Sequence, residues 1–328
     1  MIPVRLRVVG LFAAAAIVAS ACTGAGATAS PTNAPTATPS ATASASSSGS
    51  AAASVSASVS ASAIASAPSN QLVKAGTLTV CSDTSYPPQE SLDANTSVAV
   101  GSDIDLAAEI AKRLGLTLSV KSVVFDAIIP ALTGGSCDII ISAQTINAVR
   151  QQQVDMIPYF AAGQSFVVLA ANPANIKTVD DLCGKTVAAE KGTVEAGHIT
   201  GGTDTGYDNS TALSPICVAK GLKPITLKVF DKDTDALLAL HANTVVAHFT
   251  DEPVAGYEVA QGNGAFIVVP NLTLERAPEG VSVTKNHPEL RDAVKAALQQ
   301  MMDDGAYTQI LTKWGIQSGG ITSTAQAS

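Results

Sequence analysis

The chain has 328 residues, of which 46% are hydrophobic and 14% charged, with a formal net charge of −8 at pH 7. Residues 23 to 70 are almost wholly Ala, Ser, Thr, Pro and Gly, so much of that hydrophobicity is alanine with little surface to bury, and roughly 250 residues remain to fold. The acidic balance and the lack of a Lys/Arg run argue against a nucleic-acid binder or an electrostatic membrane binder, and the one long apolar run is shorter than the about 20 residues of a spanning helix.

Arg5 and Arg7 precede an apolar stretch over residues 8 to 18, and Ala19, Ser20 and Ala21 lead into Cys22. This is the charged, apolar, small-residue order of a secretory signal. Val18-Ala19-Ser20-Ala21-Cys22 also resembles the bacterial lipobox, with Ala19 where Leu is more usual. The resemblance implies a signal peptide over 1–21 and a lipid anchor (diacylglycerol and palmitate) on Cys22; a simple signal peptide cut after Ala21 is the alternative. Residues 22–71 are then expected to be a disordered tether with an r.m.s. reach of about 40 Å. It would hold a folded module at the outer face of a bacterial cell membrane, each acyl chain contributing about 0.8 kcal/mol per buried CH₂.

Leu78-Thr79-Val80-Cys81 is a short apolar strand. Ser102 is expected to cap a helix with Asp105 in its first turn, an apolar stripe through Ile104, Ala107, Ala111 and Leu114, and Gly115 as its stop. Leu116, Leu118 and Val120 alternate as the next strand, a helix runs from near Asp126 to Gly134-Gly135, and Ile139-Ile140-Ile141 follows as an apolar run. Strand and helix in alternation give a parallel sheet covered on both faces. The pattern restarts after Phe160, with strands at 167–169, 186–188, 225–229 and 245–247 and helices beginning near Val179, Thr193, Asp233 and Asp251. A second sheet is expected there. Past Pro270 come a strand at 281–283, a helix opened by Pro288 and a short helix through Tyr307, Leu311 and Trp314. Too small for a core of its own, this segment is expected to pack back on the first lobe. The fold class is therefore α/β with two lobes. Lobe 1 covers 72–162 and 273–317, lobe 2 covers 163–272, and a flexible tail covers 318–328. The chain crosses between lobes twice, near 161–164 and 272–280, which puts a ligand cleft at the hinge.

Catalytic and metal motifs fail on inspection. Gly184-Lys185-Thr186 ends like a phosphate loop, but Val179 stands where that loop needs glycine. Asp231, Asp233 and Asp235 alternate as in a calcium loop, yet Ala236 and Ala242 replace its turn glycine and bidentate acid. Those carboxylates read instead as the acidic start of a helix. His198, His241, His248 and His287 lack metal-ligand spacing, and there is no Gly-x-Ser-x-Gly elbow, so no metal or cofactor is expected. Export permits disulfides. Cys183 and Cys217, both in the second lobe, are expected to bridge. Cys81 ends one strand and Cys137 opens another, which separates them beyond disulfide reach, so both are expected as free buried thiols.

The run from Leu78 to Pro88, containing Ser82-Asp83-Thr84-Ser85-Tyr86, is similar to the first strand and ligand loop of bacterial extracellular solute-binding proteins, family 3. Gly101-Ser102-Asp103-Ile104-Asp105-Leu106 resembles that family's signature, with Ser102 where an apolar residue is usual. Phe125-Asp126-Ala127-Ile128, Ile141-Ser142-Ala143-Gln144-Thr145 with Arg150 beyond it, Gly184-Lys185-Thr186-Val187, Gly192-Thr193 and Phe249-Thr250-Asp251 continue the likeness in order.

The resemblance implies a periplasmic-binding-protein-like fold of type II. It also implies a monomeric, non-enzymatic protein that captures an extracellular polar amino acid and delivers it to the permease subunits of an ABC importer. An amino-acid zwitterion needs a donor fork for its carboxylate, an acceptor for its ammonium and walls for its side chain. By the resemblance Arg150 supplies the fork, joined by main-chain N–H groups near Thr145 and at Thr193 and Val194 after Gly192. Asp251 accepts from the ammonium with the Ala143 carbonyl and the Thr145 hydroxyl, and Ser142 belongs to the same strip. Tyr86 and Phe125 sandwich the side chain. Asp83 and Glu190 reach toward its end and would suit a cationic one. Two alternatives stay open: a secreted dehydratase of prephenate-like acids on the same scaffold, with Glu190 or Asp83 as general acid, and a ligand-sensing module.

Overall fold

Leu78 and Val80 point to one face of a strand and Cys81 to the other, and the first lobe is built outward from that alternation. The computed structural model describes residues 68–202 and 210–325, all within one unit, Ser60–Ser328. The elements in chain order are β1 (Thr77–Ser82), β2 (Ser85–Tyr86), β3 (Glu90–Leu92), β4 (Ala99–Val100), α1 (Ser102–Arg113), β5 (Thr117–Ser122), α2 (Ile128–Thr133), β6 (Ile139–Ile140), α3 (Ala148–Gln153) and β7 (Val154–Leu169). There follow β8 (Thr186–Glu190), α4 (Val194–Thr200), α5 (Leu213–Ala219), β9 (Thr226–Phe230), α6 (Asp233–His241), β10 (Ala247–Asp251), α7 (Glu252–Gln261), β11 (Phe266–Thr284), α8 (Pro288–Asp303) and α9 (Ala306–Lys313). No helix among the described residues is long and apolar enough to cross a membrane. Cys22 and the tether before residue 68 lie outside the described residues.

Leu106, Ile110, Leu290, Val294, Leu298 and Met301 cover one face of the first lobe's sheet from α1 and α8, and Ile128 and Leu132 of α2 cover the other. In the second lobe Phe166 and Val168 pack with Leu182, Val187 and Ile199, while Val167 turns the opposite way onto Ala236, Leu240 and Ala255. The expectation of a separate second sheet does not hold. One eight-stranded sheet runs through both lobes in the order β5-β1-β6-β11-β7-β10-β8-β9. The reason is that β7 and β11 pair antiparallel through both lobes, from Val154↔Thr284 to Leu169↔Phe266. The two expected crossings lie inside these strands, and register shifts between Val268/Thr273, Leu274/Ala277 and Glu279/Gly280 interrupt the ladder at the hinge, where bulges bend a sheet.

Three local expectations change. Gly101, not Ser102, is the N-cap of α1. Its φ of 137° and an approach that would put a Cβ 2.1 Å from the Gln89 carbonyl oxygen leave room only for glycine. Asp105 stands in the first turn as expected and also accepts from Lys313 Nζ and Trp314 Nε1 at 2.6 and 2.7 Å, tying α1 to the end of α9. The tail expected to be flexible from 318 packs back as far as 325: Thr324 is buried and donates to Gln299, and Ile321 N–H donates to the Tyr307 hydroxyl. α5 and the β2-β3-β4 hairpins have no counterpart in the periodicity reading, because a seven-residue helix and strands of two or three residues carry little or no period.

Cys183 and Cys217 form the expected bridge, with Cα atoms 5.6 Å apart. Cys81 and Cys137 are also bridged, at 5.8 Å, which corrects the expectation of two free thiols. Cys81 does lie beside β6, in register with Ile140. Cys137, however, precedes the strand: pairing stops where Asp138 N–H donates to the Thr79 carbonyl, and residue 137 belongs to the turn leaving α2. That turn lies over the face to which the Cys81 side chain points, so the two sulfurs meet off the plane of the sheet.

Behind the hairpins, Glu90, Asp103 and Glu279 are buried together. Asp103 Oδ2 accepts from the Tyr159 hydroxyl and from Ala143 N–H, Glu90 Oε1 from the Ser142 hydroxyl, and Glu279 Oε2 from Gln89 Nε2. Burial pushes Asp103 up to about 6 and Glu279 to about 8, and burial with the Asp103 charge drives Glu90 well above the carboxylate range.

Two outcomes are expected. Unreduced, unfolded protein should show no alkylatable thiol at residues 81, 137, 183 or 217 by peptide mass mapping. Opening the Cys81–Cys137 loop with Cys137→Ser should cost about 4 kcal/mol in the chain-entropy model. Carboxyls raised in the native state keep protons that the unfolded chain has released, so their contribution is complete below about pH 4 and is lost as pH rises through 6 and 8. The thermal midpoint should therefore fall between pH 5 and 8, and Glu279→Gln should flatten the upper part of that slope; an unchanged slope would show that Glu279 is ionised in the fold.

Candidate functional site

Arg150 sits in the first turn of α3, where Asn147 caps the helix by accepting from the Arg150 main-chain N–H at 2.9 Å. Its guanidinium donates to the Thr145 carbonyl at 2.8 Å and, across the cleft, to the Gly192 carbonyl at 3.1 Å. The Phe125 ring lies under it, 5.2 Å from the guanidinium carbon. Gly192 has φ of 82°, and a Cβ there would come within 2.9 Å of Asp126 Cα, so glycine lets the two lobes touch at this point. Thr193 follows as the N-cap of α4, accepting from Ala196 N–H and donating to the Glu190 carbonyl. Asp251 is the N-cap residue of α7 by backbone position, but its carboxylate makes no cap hydrogen bond. It accepts from the Tyr86 hydroxyl at 3.0 Å, and its own N–H donates back to that oxygen at 2.9 Å. Tyr86 belongs to the first lobe and packs with Ala143 and Val254.

These residues enclose one cavity, lined by Tyr86, Phe125, Ala143, Thr145 and Arg150 from the first lobe and by Glu190, Thr193, Val194, Glu195 and Asp251 from the second. About 10 Å³ of room is left inside, enough for about one water. Beside it a groove of about 420 Å³, reached past Arg150, Thr193 and Val194, opens the cleft between Asp126, Asn147 and Leu227. An exposed ion pair, Lys191 Nζ to Asp126 at 2.8 Å, crosses its rim.

Charge in the cavity is unbalanced. Arg150 is the one cation among the lining residues, against Glu190, Glu195 and Asp251. Burial, then the Glu195 and Glu279 charges, drives Asp251 well above the carboxylate range. Burial with the Asp83 and Asp233 charges does the same to Glu190, and burial raises Glu195 although Arg150 pulls it down. A ligand that brings positive charge would let these acids ionise.

Of the sequence-predicted site residues, the structure brings Tyr86, Phe125, Ala143, Thr145, Arg150, Glu190, Thr193, Val194 and Asp251 together on the cavity wall. Asp83, Ser142 and Gly192 stand behind it. Asp83 accepts from Phe125 N–H at 2.7 Å, its own N–H donates to Ser142 Oγ at 2.9 Å, and Ser142 donates to Glu90, so this set seats the Phe125 loop. Glu195 is the lining residue that sequence reasoning missed. An acid in the first turn of a helix reads as a complement to the helix dipole, and nothing local separates that role from a cavity wall. The histidine spacings gave no metal set, yet Asp233, His248 and Glu258 converge, fully buried, with ligand-type atoms within 4.8 Å of one another. Each ring nitrogen faces a different carboxylate at hydrogen-bond distance, which is the arrangement of an ion triad rather than of a metal cage.

Residues 78–317 match the family of bacterial extracellular solute-binding proteins, family 3. The chain is similar to "Arginine-binding protein ArgT" of Corynebacterium glutamicum, 29% identical over 248 residues that cover 76% of this chain and 77% of that protein. It is similar also to "Probable ABC transporter arginine-binding protein ArtJ" of Chlamydia trachomatis serovar D, 26% identical over 246 residues, with 73% and 86% covered. Among solved structures, an ancestral arginine-binding protein bound to arginine matches with a TM-score of 0.63 at 36% identity, covering 73% of this chain and 98% of that one. The relatives so named are binding proteins. With 240 consecutive residues matched, from 78 to 317, the chain belongs to the bacterial extracellular solute-binding proteins of family 3.

Proposed function

We propose that this protein captures an extracellular amino acid with a cationic side chain between its lobes and presents it to an ABC importer, held at the outer face of the membrane by lipid on Cys22. The observation that carries the reading is the placement of Arg150 and Asp251, from different lobes, on one cavity wall together with Glu190 and Glu195. The ligand carboxylate takes the guanidinium fork of Arg150 and the Thr193 and Val194 main chain. Its α-ammonium takes Asp251, and Glu190 and Glu195 face the cationic end. Phe125 supplies an aromatic wall. A molecule of that size enters when the lobes part about β7 and β11, and because it touches both lobes it favours closure by differential affinity. The similarity to arginine-binding proteins of ABC transporters supports the ligand class and the partner. The signal-like N-terminus ending at Cys22 supports the anchor.

Titration calorimetry of the full chain with L-arginine, L-lysine, L-glutamine and L-glutamate should rank the two cationic ligands first; glutamine or glutamate binding more tightly would remove the cationic assignment. Ligand recovered chemically unchanged after prolonged incubation is expected, and turnover would favour the dehydratase reading. Arg150→Ala should cost about 2–5 kcal/mol, about 30-fold to several thousand-fold in affinity, since it leaves a ligand carboxylate buried without its partner. An affinity within threefold of wild type would refute the role given to Arg150.

A further inference from the structure

Beneath the cavity, three elements of the second lobe meet in a buried triad that ligand capture by itself leaves without a task. His248 on β10 is wholly buried, with Nε2 2.8 Å from Asp233 Oδ1 on α6 and Nδ1 3.2 Å from Glu258 Oε1 on α7. Where both carboxylates are ionised each can only accept, so satisfying both contacts takes a ring carrying two N–H groups; burial pushes Glu258 up to about 7 while the His248 charge pulls it down. Burial alone would lower the affinity of the ring for its second proton, but Asp233 and Glu258 outweigh it and hold the imidazolium well above the usual histidine range. Asp233 from α6, Glu258 from α7 and, at longer range, Glu190 from β8 are the titratable groups that face the ring.

The triad is joined to the cavity through one hydroxyl. Asp233 Oδ1, besides facing His248, lies 3.1 Å from Thr250 Oγ1. Thr250 Oγ1 is in turn 3.0 Å from the Tyr86 hydroxyl, the group that bonds Asp251 twice. Thr250 has a single hydroxyl proton, and an ionised carboxylate is a stronger acceptor than a phenol oxygen. The proton therefore points to Asp233, and a Thr250 lone pair competes with Asp251 Oδ2 for the single Tyr86 proton. The same end of α6 touches the first lobe once more, where Asp233 N–H donates to Ser85 Oγ at 3.3 Å.

We propose that His248 is a positioning residue for the ligand site: by holding Asp233 Oδ1 beneath Thr250 it sets the direction of the Thr250 hydroxyl and, through it, the seat of Tyr86 and Asp251. The inference rests on the reading of Tyr86 and Asp251 as ligand-facing groups. Without the ring, Asp233 Oδ1 loses the partner that holds it beneath Thr250. The Thr250 hydroxyl is then free to turn toward Tyr86, and the acceptor offered to the ligand ammonium shifts with it.

Two measurements test the relay, and the first needs no ligand. Nitrogen NMR of the histidine-labelled full chain should show both His248 ring nitrogens protonated from pH 6 to 8. A neutral ring at pH 7, or ring protons displaced by micromolar zinc, would overturn the proposal. In tyrosine-labelled protein His248→Gln should move the Tyr86 Cζ resonance, and in a Thr250→Val background it should not; a shift of equal size in both backgrounds would overturn the relay. The second measurement is affinity for L-arginine. Thr250→Val should weaken it about 10-fold, as expected for one to two lost hydrogen bonds, and His248→Gln by a similar factor or more. With Thr250→Val already present, His248→Gln should add less than threefold, whereas the losses in thermal midpoint should add. Multiplicative losses in affinity would make His248 merely structural. Should His248→Gln fail to fold, Glu258→Gln replaces it in both backgrounds. Failure of the wild-type protein to bind arginine would instead count against the ligand reading, and the two resonance measurements would still decide the relay.

Discussion

A guanidinium on one lobe can meet a carboxylate on the other because both are tied to the same strand. Arg150 lies in the helix that runs directly into β7 at Val154, and Asp251 is paired with Gln164 farther along β7. β11 pairs with β7 over nearly its whole length, so the lobes cannot slide past one another without breaking a long antiparallel ladder. They can bend where the register slips, near Leu274 and Glu279. This restricts relative motion to opening and closing, which suits a site assembled from both sides.

The second constraint is charge in a dry interior. Glu90, Asp103 and Glu279 are buried in the first lobe, and Glu190, Glu195, Asp233, Asp251 and Glu258 in the second. An isolated carboxylate in low dielectric protonates or finds a cation. In the first lobe hydroxyl and amide donors and retained protons meet the need, with Tyr159, Ser142 and Gln89 as the donors. In the second lobe His248 balances two acids, while those around the cavity are left to Arg150 and to whatever enters. A preference for a cationic guest thus follows from the same surplus that makes the closed cavity costly to ionise.

Tyr86 shows how one side chain can serve both constraints. Its ring packs in the first lobe against Ala143, whereas its hydroxyl reaches Thr250 and Asp251 on the second. A core aromatic and a ligand wall are usually treated as exclusive roles. Here the ring fills a small apolar patch and the hydroxyl is an interlobe hydrogen-bond hub, which the residue type allows because Tyr is apolar in body and polar at the tip.

How much of this was legible beforehand follows from the range of each interaction. Apolar alternation at Leu78, Val80 and Cys81 and the helical stripe through Ile104, Ala107 and Ala111 are written within a dozen residues, and they formed as read. The order of motifs around Tyr86, Phe125, Thr145, Arg150, Thr193 and Asp251 likewise pointed to one cavity. What the chain could not reveal depends on groups far apart in number. The merging of two expected sheets rests on β7 pairing with β11 over a hundred residues away. The Cys81–Cys137 bridge depends on a turn leaving the sheet plane. Glu195 became a cavity wall, and His248 the centre of a triad, because separate helices happen to converge on them. Local periodicity specifies which face of an element is apolar; which polar group that face will meet is decided only when the elements pack and water is excluded between them.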